Sequence, residues 1–136
     1  MNKNHIKIAV CDLNGILRSK YIDKDKYDKA LKEGMGFCDV ILGSDIDDQL
    51  IDKLSFTGWH SGYPDAKINI IQDSMRQIPY ENNRSIVLAQ FAKGSNELCP
   101  RSILSSIVDK AKQAGFQATV GMEFEFTLFE ETADSL

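Results

Sequence analysis

The sequence predicts an α+β fold: a mixed sheet crossed by one short helix and followed by a second, amphipathic helix. Two observations carry this. Apolar alternation between Ile6 and Leu42 gives the order strand, strand, helix, strand, and a stripe at three- and four-residue spacing runs from Pro100 to Ala114.

The first element rests on Ile6, Ile8 and Val10, which alternate before Asn14-Gly15 and the run Ile16 to Ile22. Asn-Gly between two such runs is a strong hairpin signal, because both residues tolerate the positive φ that a tight turn needs. Asp23 or Asp25 can then cap a helix with Tyr27, Ala30 and Leu31 on one side, and Gly34 stands where a positive-φ residue ends a helix. Phe37 to Leu42 is a short apolar run closed by Gly43, expected as a third strand.

Residues 44–65 carry five aspartates, Asp45, Asp47, Asp48, Asp52 and Asp65, among Gly58, Gly62 and Pro64, with weak periodicity. A long irregular loop is expected, and loops of that length are often functional. Lys67 to Ile71 and Ser85 to Phe91 read as two further strands separated by a turn around Pro79. The second helix has Pro100 at its start, Gly115 just past its end, and Ile103, Leu104, Ile107, Val108 and Ala111 on one face expected to be buried. Phe116 to Val120 and Met122 to Phe129 are expected as strands.

The chain has 136 residues, 43% of them hydrophobic, which is enough for one domain to bury a core. With a formal net charge of −4 and no basic stripe, nucleic acid is not an expected partner. Cys11, Cys38 and Cys99 are odd in number and widely spaced, so they read as reduced thiols in a cytoplasmic protein rather than a disulfide framework. The first residues lack a secretory core, and no apolar run approaches the roughly 18 residues of a membrane span.

Glu123-Phe124-Glu125-Phe126-Thr127-Leu128 is the most informative segment. In a strand, the two glutamates share one face, with carboxylate stems roughly 6 to 7 Å apart. That separation suits two ions of a phosphoryl-transfer site better than one small ion; the plain alternative is a solvated acidic face. His5 and His60 are too few and too far apart for a histidine metal cluster or a Ser-His-Asp triad, and no Gly-rich phosphate loop is present. Trp59 and Tyr63 could line a pocket or anchor the loop by packing.

Gly121-Met122-Glu123-Phe124-Glu125-Phe126 resembles the glycine, glutamate, x, glutamate, phenylalanine signature of the glutamine synthetase family. Four further stretches resemble the same family in the same order. They are Asp12-Leu13-Asn14-Gly15-Ile16-Leu17-Arg18-Ser19-Lys20, Gly62-Tyr63-Pro64-Asp65-Ala66, Arg76-Gln77-Ile78-Pro79-Tyr80, and Cys99-Pro100-Arg101-Ser102-Ile103-Leu104.

The resemblance implies a β-grasp domain over residues 1–97, with a boundary near 95–101, and the start of a catalytic domain over 98–136. It implies ATP-dependent ligation of ammonia to glutamate through a γ-glutamyl phosphate, with Mg²⁺ or Mn²⁺ held in part by Glu123 and Glu125. It also implies a homo-oligomeric ring in which the acidic loop reaches a neighbouring active site. The family's Asp-Gly-Ser-Ser loop motif is absent, and Leu50 to Trp59 takes its place. Asp52 is then the first candidate for the ammonium-side carboxylate, with Asp65 the second; the alternative for both is a turn-capping role.

The altered loop leaves open a polyamine or another amine as acceptor, or a family member that has lost catalysis and serves as a structural or interaction protein. Family members are several times longer. The expectation is therefore a truncated catalytic domain without the remaining metal-binding glutamates, the ATP-binding histidine strand and the phosphate-stabilising arginines, and a piece inactive by itself.

Overall fold

In a computed structural model of the chain, residues 5–92, 98–130 and 132 are described. Strand β1 (Ile6–Cys11) runs antiparallel to β2 (Leu17–Ile22), and α1 (Lys24–Glu33) leads to β3 (Met35–Cys38). After the loop come β4 (Asp65–Ile70), β5 (Arg76–Ile78), β6 (Arg84–Phe91) and α2 (Pro100–Gln113). The sheet order is β2-β1-β6-β4-β3, with β5 also pairing β6. Among the described residues only β1 and β6 pair in parallel, in register Lys7↔Ile86 to Val10↔Ala89, and the other strand pairs are antiparallel. A mixed sheet with first and last strands parallel and adjacent, accompanied by one helix, is the β-grasp arrangement expected.

The alternation in β1 sends Ile6, Ile8 and Val10 into one core with Val87, Ala89 and Phe91 of β6, Ile68 of β4, Phe37 of β3 and Tyr27 of α1. Ile8, Val10, Ile68, Val87 and Phe91 are fully buried, each worth about 1.5–3 kcal/mol relative to exposure. Of the two aspartates available as caps, Asp23 does the capping: its carboxylate accepts the Lys26 N–H at 2.7 Å. Gly34 ends α1 at φ +73°, where a Cβ would sit 2.6 Å from the Ile68 carbonyl oxygen.

Four local expectations need correction. The run Phe37 to Leu42 is a strand only through Cys38, because its partner β4 begins at Asp65, opposite Cys38. Without a further ladder partner, Asp39–Leu42 closes on itself as a 3-10 turn, with the Gly43 N–H on the Val40 carbonyl at 2.8 Å, and still buries Leu42. The Pro79 turn carries the extra strand β5, at three residues too short for a period to show.

Helix α2 forms where expected. The N–H groups of Gly115 and Phe116 return to the carbonyls of Lys112 and Ala111 at 3.0 and 2.9 Å, a paired C-terminal closure for which Gly115 supplies φ +85°. Its stripe, however, is not buried: Ile103, Leu104, Ile107 and Val108 are 45–64% exposed. Amphipathic spacing fixes which face is apolar, not what covers it. Residues 116–130 likewise form no strand, and Phe124 and Leu128 are 85% exposed, since alternation supplies faces but a ladder needs a neighbouring strand. The expected boundary near 95–101 falls partly on residues 93–97, outside the described residues. No helix among the described residues is long and apolar enough to cross a membrane.

Candidate functional site

The β1–β2 connection is organised by one carboxylate. Asp12 is fully buried; its Oδ1 accepts the N–H groups of Asn14 and Ile16, both at 2.9 Å, and its Oδ2 accepts from Arg18 Nε at 2.8 Å. Burial pushes this carboxyl upward, but the Arg18 hydrogen bond and the two N–H donors outweigh it and hold the group below its ordinary value. Arg18 reaches on to ion-pair with Asp48. The two carboxylates hold its guanidinium charged well above the ordinary arginine value.

Asp48 belongs to the long loop, residues 43–64, whose first part is a closed turn. Asp45 Oδ1 accepts from the N–H groups of Asp47 and Gln49, both at 2.9 Å, and the Asp45 N–H donates to the Gln49 carbonyl at 2.9 Å. Ser44 bridges Leu50, and the Ile51 N–H reaches the Gly43 carbonyl at 2.9 Å. Asn14 Nδ2 adds a 3.4 Å contact to the Ser44 carbonyl. Further along, buried Thr57 donates from Oγ1 to Asp39 at 2.7 Å.

Phe56 packs on the core beside Thr57, while much of the rest of the loop faces solvent. Trp59 is 89% exposed, with its ring edge-on to Tyr63 at 5.4 Å, and Ile46, Leu50 and Ile51 are also exposed. Of the two roles open to the aromatic pair, Trp59 therefore does not anchor the loop by burial.

Asp52 lies in the exposed part of this loop, directly after the anchored turn. Asp65 sits elsewhere: it opens β4, lies against Gly36 of β3 and is 4.0 Å from Lys20 Nζ. Glu123 and Glu125 are exposed in the segment after α2. No group of three or more His, Cys, Asp or Glu side chains that could hold a metal ion occurs among the described residues. Sequence reasoning missed the set of Asp12, Arg18 and Asp48. Its signal was present in the buried-side position of Asp12 before an Asn-Gly turn, but an aspartate there reads as a turn residue.

The three cysteines are free. Burial, then the neighbouring Asp12 charge, push the Cys11 thiol upward, away from the reactive thiolate.

Residues 97–136 match the family model described as the glutamine synthetase catalytic domain. Over 134 residues, 96% of this chain, the sequence is 40% identical to type-1 glutamine synthetase 2 of Dictyostelium discoideum. The chain belongs to the glutamine synthetase family. It is 30% identical over 139 residues to a glutamate–isopropylamine ligase of Pseudomonas sp, and 28% identical over 131 to a gamma-glutamylethanolamide synthetase of Streptomyces coelicolor. The chain spans 26% to 30% of the length of these three relatives.

Among solved structures, a novel glutamine synthase homolog superposes with a TM-score of 0.62 at 19% identity, covering 84% of this chain and 28% of that one. A GmaS/ADP complex superposes at 0.60 and 17% identity, covering 82% and 23%. These likenesses give the glutamine synthetase family's fold to the sheet and helix described above.

Proposed function

We propose that this chain is the amino-terminal part of an ATP-dependent glutamate–amine ligase, with residues 1–97 as the β-grasp domain and 98–136 opening the catalytic domain. The observation that carries the reading is the loop of residues 43–64: an ordered turn clamped to the sheet by Asp12 and Arg18 that offers Asp52 and Trp59 to solvent. A loop built this way is suited to serve a site outside its own domain, and in a ring that site belongs to a neighbouring subunit.

In the proposed reaction, glutamate's γ-carboxylate takes the γ-phosphoryl group of ATP, releasing ADP. The ammonium form first loses a proton to expose its lone pair; the free amine then attacks the acyl carbon, phosphate leaves, and a second proton is lost as the amide forms. Asp52 holds the amine substrate in its cationic form by charge, with Asp65 as the second candidate. Glu123 and Glu125 are hard oxygen donors of the kind Mg²⁺ or Mn²⁺ takes, and such ions would neutralise phosphate charge there. Two carboxylates do not complete a six-coordinate sphere, and the described residues offer no third close acidic or histidine ligand. The 136 residues by themselves are therefore expected to turn nothing over.

Ammonia is the first expected acceptor. A larger amine is the second, because Leu50 to Trp59 departs from the family's loop motif and one 30% relative is named for isopropylamine. The test is phosphate release from ATP by the full product of the gene, with glutamate plus ammonia, isopropylamine, ethanolamine or a polyamine. Turnover with one acceptor supports the ligase. A folded product silent with all of them would make the structural or interaction role the better reading.

A further inference from the structure

We propose that Arg18 is a positioning residue for the reaction: it clamps the turn of residues 45–51 to the sheet and thereby sets where Asp52 stands. The inference rests on the reading of Asp52 as the amine-side carboxylate, and adds the residues that aim it.

On the sheet side the guanidinium is over-determined. Arg18 sits on β2 opposite Val10, and its Nε donates at 2.8 Å to a carboxylate with no exposed surface, itself fixed by two backbone N–H groups. The planar fork faces two carboxylates at once: Nε hydrogen-bonds Asp12, while the buried Nη2 meets Asp48 as an ion pair without hydrogen-bond geometry.

On the loop side, Asp48 adopts φ +60°, a conformation that Asp and Asn tolerate best among residues with side chains. It is the apex of a turn whose ends are tied by the Asp45–Gln49 and Gly43–Ile51 backbone hydrogen bonds. A turn so closed moves as a unit. Asp52 is the next residue after the tied end, so gripping Asp48 also grips the approach to Asp52. The far end of the loop has its own anchor in Thr57 and Asp39, which leaves the near end as the part that Arg18 controls.

The test uses Asp48→Asn, which keeps the preference for positive φ and removes only the charge, and Arg18→Lys, which keeps charge but loses the fork. Amide hydrogen exchange at Asp47, Gln49 and Ile51 should accelerate about two- to five-fold in Asp48→Asn, the range expected for one partly exposed ion pair. Arg18→Lys, which also loosens the bond to Asp12, should accelerate the same amides, whereas in Asp48→Asn the β1 and β6 amides should stay unchanged. Fluorescence anisotropy of Trp59, the single tryptophan, should stay closer to the parental value than the exchange rates do, because Thr57 holds the far end. In the full gene product, Asp48→Asn should raise KM for the amine while leaving KM for ATP in place, a split that a general loss of stability would not give.

Unchanged exchange in both variants overturns the clamp whatever the activity. Faster exchange with an unchanged amine KM overturns its link to Asp52. An unsubstituted gene product without turnover overturns the functional reading, and the exchange data then decide the clamp alone.

Discussion

Replacing Asp12 tests the hairpin anchor most directly, and Asp12→Asn and Asp12→Ala separate its parts. Asparagine keeps an oxygen for the Asn14 and Ile16 N–H groups but turns an amide N–H₂ toward the Arg18 Nε–H, donor against donor. The lost charge-assisted bond is worth about 1.5–3 kcal/mol. Part returns because a carboxylate need no longer be desolvated, leaving a net cost of roughly 2 kcal/mol. Alanine also abandons two N–H donors at about 1 kcal/mol each, for a total of roughly 4 kcal/mol, within the range for breaking a buried ionic pair.

The assay is urea unfolding at neutral pH with the slope held constant. The sign with pH follows from the depressed carboxyl. Its contribution is fully present above the ordinary value of 3.8 and fades as pH falls through the lower folded value. The gap between parent and Asp12→Asn should therefore close in strong acid. An Asp12→Asn variant within about 0.5 kcal/mol of the parent, or an alanine variant no worse than the asparagine one, would refute the accounting.

The remaining predictions concern the other ion pair, the open helix face and the acidic segment. Glu81 takes Lys7 Nζ and the Tyr21 hydroxyl, both at 2.6 Å. Those hydrogen bonds, Lys7 first, hold its carboxyl low, while the Glu81 bond holds the Lys7 ammonium above its ordinary value. Glu81→Gln should bring Lys7 back down in an NMR titration, and any stability that Glu81 supplies should be present above pH 4.5 and fade as pH falls below it. In thermal melts of this chain, Leu104→Lys should change stability by no more than about 0.5 kcal/mol because the side chain is already open, whereas Phe91→Ala should cost about 3–5 kcal/mol. In the full gene product, Glu125→Ala should cut turnover far more than it lowers the melting temperature. Near-parental activity at limiting Mg²⁺ for both Glu125→Ala and Glu123→Ala would remove the metal assignment.

Strands β1, β2, β4 and β6 and both helices were legible because each carries its own period or punctuation: Ile6-Ile8-Val10, Asn14-Gly15, the Asp23 cap, the Pro100 start. What was not legible depends on partners. Asp39 to Leu42 has strand-like residues but no opposing strand once β4 has begun, and β5 exists only because β6 offers it a ladder. The α2 stripe and the Phe124 to Leu128 alternation show the complementary limit, since they state an apolar face and leave its cover unnamed. For the candidate site, the carboxylates could be picked out one by one, but the Arg18 bridge joins residues thirty positions apart in the chain, and no local pattern announces it.

The parallel pairing of β1 with β6 has a consequence for synthesis. Strand β1 lies inside the sheet and leaves the ribosome before β6, the partner for its second edge, which arrives about 80 residues later. Until then the hairpin carries Ile8 and Val10 uncovered along an unpaired edge, a surface that invites strand addition by another nascent chain. The hairpin must survive that interval on its turn alone, so the buried carboxylate before Asn14-Gly15 acts earliest in the life of the chain. Variants that weaken it should show their defect as lower yield of soluble protein at high expression rates before any loss is visible in the finished fold.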